Sequence, residues 1–308
     1  MEGPGKIIIG VSSCLLGNKV RYDGKSRSDL ALMRALGKAF VLFPVCPEVE
    51  AGLSVPREPM ELYGTPSQAR LRVIGSDIDL TGVMDHWAKK RIPVLAKQGI
   101  CGFVFKSRSP SCAVDDAVII SEKGGQKGPG LFRSSLTELI PPLPVADNED
   151  LADAAVRENF IERVRVYRRW QDLCARRPSL CKLVAFHSDH KLLIMAHSLK
   201  HYSLLGKLVA GAKGGSIRLL CDRYIALLME GLQLNATRGK HANVLQHAMG
   251  YFKNVLSAQE KQELLNSIEQ YRLGTAPLRS PLARIRRHLR KHPDEYLLRQ
   301  VYLDQQHR

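Results

Sequence analysis

The sequence predicts an α/β N-terminal domain built on a mainly parallel sheet, followed by an all-α C-terminal domain. Three observations carry that prediction. Apolar runs alternate with segments of helical periodicity through the first half of the 308 residues. A proline-rich stretch, "LIPPLPVADNED" (139–150), then interrupts the pattern. Beyond it nearly every segment repeats its apolar residues at three- and four-residue spacing. The expected boundary lies between residues 148 and 149, and a chain of this length has room for two cores.

Each element has a local reason. "KIIIGVSSC" (6–14) is a continuous apolar run ending in a turn, the signature of a strand buried on both faces. "SDLALMRALGKA" (28–39) places apolar residues at helical spacing behind a Ser-Asp start. "FVLFPVC" (40–46) reads as a second strand. "DLTGVMDHWAKKRIPVLAKQGI" (79–100) reads as a helix with a bend at Pro93, and "CGFVFKS" (101–107) as a third strand. "EKGGQKGPGLF" (122–132) reads as a glycine-rich loop. The second half offers helices over 148–177, 179–212, 216–232, 239–252 and 257–274. In the first of these, acids come early and arginines late, as the helix dipole favours.

Composition narrows the function classes. No run of eighteen apolar residues is present, which excludes a membrane-spanning helix. The N-terminus has neither the basic segment nor the long apolar run of a signal peptide, so the expected compartment is the cytoplasm. Seven cysteines are too few for a disulfide scaffold. The charge is uneven. Residues 1–148 carry 19 Lys and Arg against 15 Asp and Glu, whereas residues 149–308 carry 27 against 15. A basic second half fits a polyanionic partner, nucleic acid first.

Three cysteines follow the three strands of the first half. Cys14 ends the first, Cys46 ends the second, and Cys112 lies a few residues past the third. In an open parallel sheet of Rossmann-like type, ligands bind outside the carboxyl ends of the strands. Thiols distant in sequence therefore converge there. Soft sulfur donors suit zinc, copper(I) or an iron–sulfur cluster. A four-iron cluster normally takes four cysteines. Cys101 begins the third strand and reads as a buried core thiol, so a cluster here has three ligands and one open iron. Polar groups crowd the same loops. Glu48 suits a general acid or base, with Glu50 a second carboxylate nearby. Ser109, stiffened by Pro110, suits a proton relay or nucleophile. Arg21, Asp23, Arg57 and Lys106 suit the polar groups of a substrate.

"VSSCLLG", "VRYDG", "CPEVEAGLSVPR" and "SRSPSC" resemble the thiouracil desulfurase (TudS-like) family over roughly residues 6–145. The second half, through "FHSDHKLLIMAHSLKHYSLLGKLVA" (186–210) and "GKHANVLQHAMGYF" (239–252), resembles the YbgA-like helical domain found fused to it. The resemblance implies a desulfidase that removes sulfur from 4-thiouridine in tRNA. It implies a [4Fe-4S] cluster on Cys14, Cys46 and Cys112, with the acid of the "CPE" motif at Glu48 and the serine of "SPSC" at Ser109. One departure is Ala113, where many relatives have glycine after the last cysteine. Two other readings stay open: a desulfurase of free thiobases or thionucleotides, and a non-catalytic iron–sulfur protein that binds RNA.

The helical half contributes further candidates. His197 and His201 stand four apart, a metal-compatible spacing, with His187 and His190 nearby; a structural or RNA-contact role is the leading expectation. Cys174, Cys181 and Cys221 fall on apolar faces and read as core. The run 272–299 has eight Lys and Arg against two acids. Its Arg284, Arg286, Arg287, Arg290 and Lys291 are the expected contacts to tRNA phosphates.

Overall fold

In chain order, the first 171 residues form β1 (Ile8–Ser12), α1 (Leu30–Leu36), β2 (Val41–Val45), α2 (Pro47–Glu50), β3 (Met60–Thr65), β4 (Gln68–Val73), α3 (Thr81–Lys97), β5 (Ile100–Phe105), β6 (Ala117–Ser121), β7 (Gly124–Gly128), α4 (Leu131–Leu139), β8 (Val145–Asp147) and most of α5 (Ala154–Ala175). The computed structural model describes residues 6–121, 124–212 and 214–304. The expected signal-free start at 1–5 and the first two residues of the expected glycine-rich loop lie outside the described residues.

The apolar runs become one parallel sheet of order β2-β1-β5-β8. Its register pairs Ser12 with Val45 and Val11 with Val104, so β1, β2 and β5 end at one level. Strand β5 is buried at all six positions, as its unbroken apolar run requires. Phe103 and Phe105 stack at 4.3 Å, and Phe132 of α4 meets both edge-on.

Three expectations for this half are corrected. A second sheet, of order β4-β3-β6-β7, was not anticipated. It is mixed: β3 pairs antiparallel with β4 and parallel with β6, while β6 pairs antiparallel with β7. Its strands are short; β3 and β4 mix charged with apolar residues and β7 is written "GGQKG", so only β6, "AVIIS", carries an apolar run. The glycine-rich stretch is therefore a strand from Gly124 to Gly128 rather than a loop. The proline-rich stretch holds β8, which pairs with β5 from Phe103↔Val145 to Phe105↔Asp147.

The chain divides into two compact units after Gln171, beyond the expected junction at 148/149. The first part of α5 packs on the parallel sheet. A Cβ at Gly102 of β5 would meet Val164 Cγ2 at 2.7 Å, so glycine is what lets the helix approach. Gln171 donates to the Ile100 carbonyl at 2.9 Å and accepts from the Cys101 thiol at 3.1 Å. Cys101 is fully buried, as expected of a core thiol.

The second unit is helical: α6 (Leu180–His197), α7 (Leu199–Ala210), α8 (Ile217–Gln233), α9 (Arg238–Gly250), α10 (Ala258–Leu273), α11 (Arg279–Lys291) and α12 (Glu295–Arg299). A polar cap opens most of them: Ser179, Ser198, Ser216, Thr237, Ser257 and Asp294 each accept a backbone N–H of the first turn. Ser257 and Glu260 form a full capping box. The expected single segment 179–212 is two helices, because Ser198 is extended and starts a new one. Helix α6 is central, with Leu192 through His197 buried, and contacts α7, α8 and α9. Among the described residues no helix is long and apolar enough to cross a membrane.

Candidate active site

Beyond the aligned ends of β1, β2 and β5 lies a cavity of about 400 Å³. Cys14, Cys46 and Cys112 all line it, with Glu48, Ser109, Arg21, Arg57 and Lys106. The parallel register explains the convergence, since three loops leave the sheet at the same level. All seven cysteines are free thiols.

Each thiol is held by its own loop. Cys14 sits in the single 3-10 turn that follows β1. Cys46 is the cap residue just before α2, and its thiol lies 3.3 Å from Glu48 Oε2, as donor to the carboxylate. Cys112 follows a turn in which Ser109 Oγ accepts the N–H groups of Ser111, at 3.3 Å, and Cys112, at 3.2 Å. The start of α4 clamps that turn. Leu131 N–H donates to Pro110 O, Phe132 N–H to Ser111 O, and Gly130 N–H to Ala113 O, at 2.9–3.1 Å. A Cβ at Gly130 would stand 2.5 Å from Ser111 C and 2.6 Å from Cys112 N, so only glycine permits the contact. Ala113 itself is fully buried and has no left-handed φ, so its methyl costs nothing there.

The electrostatics of the three thiols agree. Burial, reinforced by the Glu48 carboxylate, raises Cys14 and pushes Cys46 up to about 12. The same two causes raise Cys112 well above its ordinary value, against the Ser12 hydroxyl that lowers it. Protonated buried thiols are poor nucleophiles at neutral pH. They become thiolates when a metal displaces the proton.

The donor set fits an iron–sulfur group. Three soft donors face one cavity, while among the described residues no three His, Cys, Asp or Glu side chains close around a single ion.

Not every expected residue faces the cavity. Asp23 does not line it; it pairs with Arg21 Nε at 3.4 Å and accepts the Lys25 N–H at 3.1 Å. Glu50 also points away, accepting the Cys46 N–H at 3.1 Å and pairing with Arg91 at 2.8 Å. Arg57 donates to the carbonyls of Val20, at 3.1 Å, and Ser54, at 3.3 Å. Lys106 Nζ donates to the carbonyl of Ser107 at 2.8 Å and to its hydroxyl at 3.1 Å.

Sequence reasoning missed several wall residues: Ser12, Tyr22, Met60 and Arg108. Ser12 accepts the Lys106 N–H at 3.0 Å and so ties the first loop to the third. Arg108 is a non-glycine residue with φ 57°, its side chain paired with Glu149. The sequence signal of Ser12, Tyr22 and Arg108 is proximity to the thiol-bearing loops, whereas Met60 opens β3 of the second sheet and has none.

The candidates of the second unit find ordinary partners. His187 Nδ1 meets the Tyr224 hydroxyl at 3.2 Å, His190 Nδ1 the Phe186 carbonyl at 2.7 Å, and His197 Nδ1 the Leu234 carbonyl at 2.7 Å. His201 meets Ser198 Oγ at 2.8 Å and Glu230 at 3.2 Å. The break at Ser198 removes the four-residue helical spacing of His197 and His201. Cys221 is buried as expected, but Cys174 and Cys181 are exposed, because they sit at a helix end and a helix start. On α11, Arg284 pairs with Glu263 at 3.3 Å and Lys291 with Glu260 at 3.8 Å, while Arg286 binds the carbonyls of Leu303 and Asp304. Arg287 and Arg290 are exposed.

The family model described as 2-thiouracil desulfurase matches residues 9–148, and that of a protein of unknown function (DUF1722) matches residues 191–306. The uncharacterized protein YbgA of Escherichia coli (strain K12) is 34% identical over 123 residues, 40% of this chain and 73% of that protein. The uncharacterized protein YbbK of Bacillus subtilis (strain 168) is 30% identical over 110 residues, 34% of this chain and 72% of that protein. Among solved structures, the [4Fe-4S]-dependent thiouracil desulfidase TudS is 32% identical, covering 48% of this chain and 93% of that one, with a TM-score of 0.38. With its three cavity thiols inside the matched region, the chain belongs to the 2-thiouracil desulfurase family of enzymes, joined to a YbgA-like domain.

Proposed function

We propose that this enzyme is a thio-nucleobase desulfidase that converts 4-thiouridine in tRNA to uridine and hydrogen sulfide, in the cytoplasm. The observation that carries the reading is the convergence of Cys14, Cys46, Cys112, Glu48 and Ser109 on one cavity of the matched region. The basic second half supports a tRNA substrate, because a small neutral thiobase gives no reason for 27 Lys and Arg against 15 acids there.

Cys14, Cys46 and Cys112 are the residues that would hold a [4Fe-4S] cluster. When bound, that group supplies Lewis acidity toward the thiocarbonyl, with no net electron transfer. The overall change is hydrolytic: water and the thiocarbonyl give a carbonyl and hydrogen sulfide. Glu48 is buried at the cavity wall and takes the proton of the attacking water. Ser109 Oγ already accepts two N–H groups, which leaves its own proton to donate toward the substrate. Arg57 and Lys106, held by backbone carbonyls rather than carboxylates, orient the polar groups of the substrate. A target base within RNA has to leave the stack to reach the cavity. Arg287 and Arg290 hold tRNA phosphates.

The test is anaerobic purification with iron and sulfide quantitation, then incubation with thiolated tRNA and with free thiouracil. Loss of thiocarbonyl absorbance and sulfide release, faster with tRNA, support the reading. Absence of iron, or turnover of free thiouracil at least as fast, overturns its cofactor or its substrate respectively.

A further inference from the structure

Glu50 and Arg91 take no part in the chemistry above, yet both converge on Cys46. Strand β2 ends at Val45, and Cys46 is the residue that precedes α2. Pro47 has no N–H to anchor the turn and holds the residue before it extended, with φ −123° and ψ 102° at Cys46. The Cys46 N–H donates to Glu50 Oε1 at 3.1 Å. In return the Glu50 N–H donates to the Cys46 carbonyl at 2.9 Å. These two bonds close a ring: one is the first backbone bond of the helix, and the other returns the Glu50 carboxylate to the N–H of the residue that precedes it.

The other carboxylate oxygen of Glu50 is held by Arg91 of α3 at 2.8 Å. The pair is half-buried, with side chains 29% and 21% exposed. The Arg91 guanidinium also lies over the Phe43 ring of β2, 5.6 Å from its centroid. Strand, turn and helix are thus tied together on the side of α2 away from the catalytic cavity. Glu50 and Arg91 line a separate groove there, while Pro47 and Glu48 line the cavity.

We infer that Glu50, steadied by Arg91, is a positioning residue that fixes the backbone of Cys46 so that its thiol faces the cavity. This rests on the proposed function in taking Cys46 as a ligand. With both oxygens engaged, Glu50 orients the ligand loop and leaves the proton chemistry to Glu48.

The experiment uses the full-length chain and two readouts. In the metal-free protein, residue-resolved amide hydrogen exchange follows Cys46, with Ala51 and Leu53 as controls, since their N–H groups bond to Pro47 and Glu48 carbonyls. In Glu50→Ala the Cys46 amide exchanges at least about tenfold faster with the controls unchanged. Arg91→Met gives a smaller acceleration, and Glu50→Gln, which keeps an acceptor, restores most of the protection. In the reconstituted protein, a chelator removes iron at least about tenfold faster from Glu50→Ala, with an altered EPR signal of the reduced cluster. Unchanged Cys46 exchange, or equal acceleration of Ala51 and Leu53, overturns the inference. A wild-type protein that takes up no iron overturns the cofactor reading instead, and the exchange result still decides the role of Glu50.

Discussion

Each of the two units holds a group of metal-capable side chains, and the two groups are used in opposite ways. In the first, Cys14, Cys46 and Cys112 leave three different loops and face a common cavity. In the second, His187, His190, His197 and His201 are all buried, and each ring nitrogen Nδ1 is turned onto a neighbouring carbonyl or hydroxyl. Burial pushes His187 down to about 4, so it is uncharged at neutral pH. Residue type and spacing alone would rank the second group beside the first. The difference is where the polar capacity points: into a cavity in one case, into the protein in the other. Buried polar groups that satisfy one another build a fold. Those aligned on a shared space are free to bind something else.

The strongest break of this comparison is substitution of the two groups side by side. Cys14→Ser, Cys46→Ser and Cys112→Ser should each abolish stable iron binding and cut turnover more than about 100-fold. His197→Ala with His201→Ala should leave iron content unchanged and lower stability by about 1–3 kcal/mol. Iron analysis and denaturant unfolding read both, and iron loss in the histidine variant would erase the contrast.

Within the site, Glu48→Gln should slow turnover by about 10²–10⁴-fold and Ser109→Ala by less, with iron retained. Single-turnover sulfide release measures this, and full activity in both variants removes their assigned roles.

A third test concerns the buried carboxyl beside the Cys112 loop. Asp147 is raised to about 6 by burial, against a hydrogen bond from the Val114 N–H. Its folded form therefore holds a proton more tightly than the unfolded chain. Stability is highest when the carboxyl is protonated and falls as pH rises from about 4 through 6. A two-unit shift corresponds to about 3 kcal/mol. Asp147→Asn should flatten that fall in the metal-free protein. Parallel pH profiles of unfolding for the two proteins would remove Asp147 as its source.

The smallest effect is on α11. Arg287→Gln with Arg290→Gln should lower the dependence of log binding on log salt by about 2 for tRNA. Arg286→Gln should instead weaken the attachment of the chain end, since its guanidinium binds the carbonyls of Leu303 and Asp304. A binding slope unchanged by the first pair, measured across a salt series, removes these two arginines as the proposed phosphate contacts.

The parallel sheet was legible because β1 and β5 are buried on both faces, and β1, β5 and the part-exposed edge strand β2 all read as unbroken apolar runs. The second sheet was not, because β7 has no apolar residue and β3 and β4 mix charged with apolar positions. The three thiols were legible from their place after the strands. The split between the two carboxylates of "CPEVE" was not. Glu48 and Glu50 leave different sides of a one-turn helix, and which side meets the cavity and which meets Arg91, far along the chain, is decided by packing.

By itself, then, the sequence determined the alternation of strands and helices, the placing of Cys14, Cys46 and Cys112 at strand ends, and the basic second half. These are local: they follow from hydrophobic period, turn residues and composition. The tertiary structure decided which polar residues share a cavity, that α5 begins in the first unit, and that Arg284, His187 and His197 are engaged elsewhere. Those outcomes depend on partners distant in sequence, and a pairing energy has no local signature in the chain.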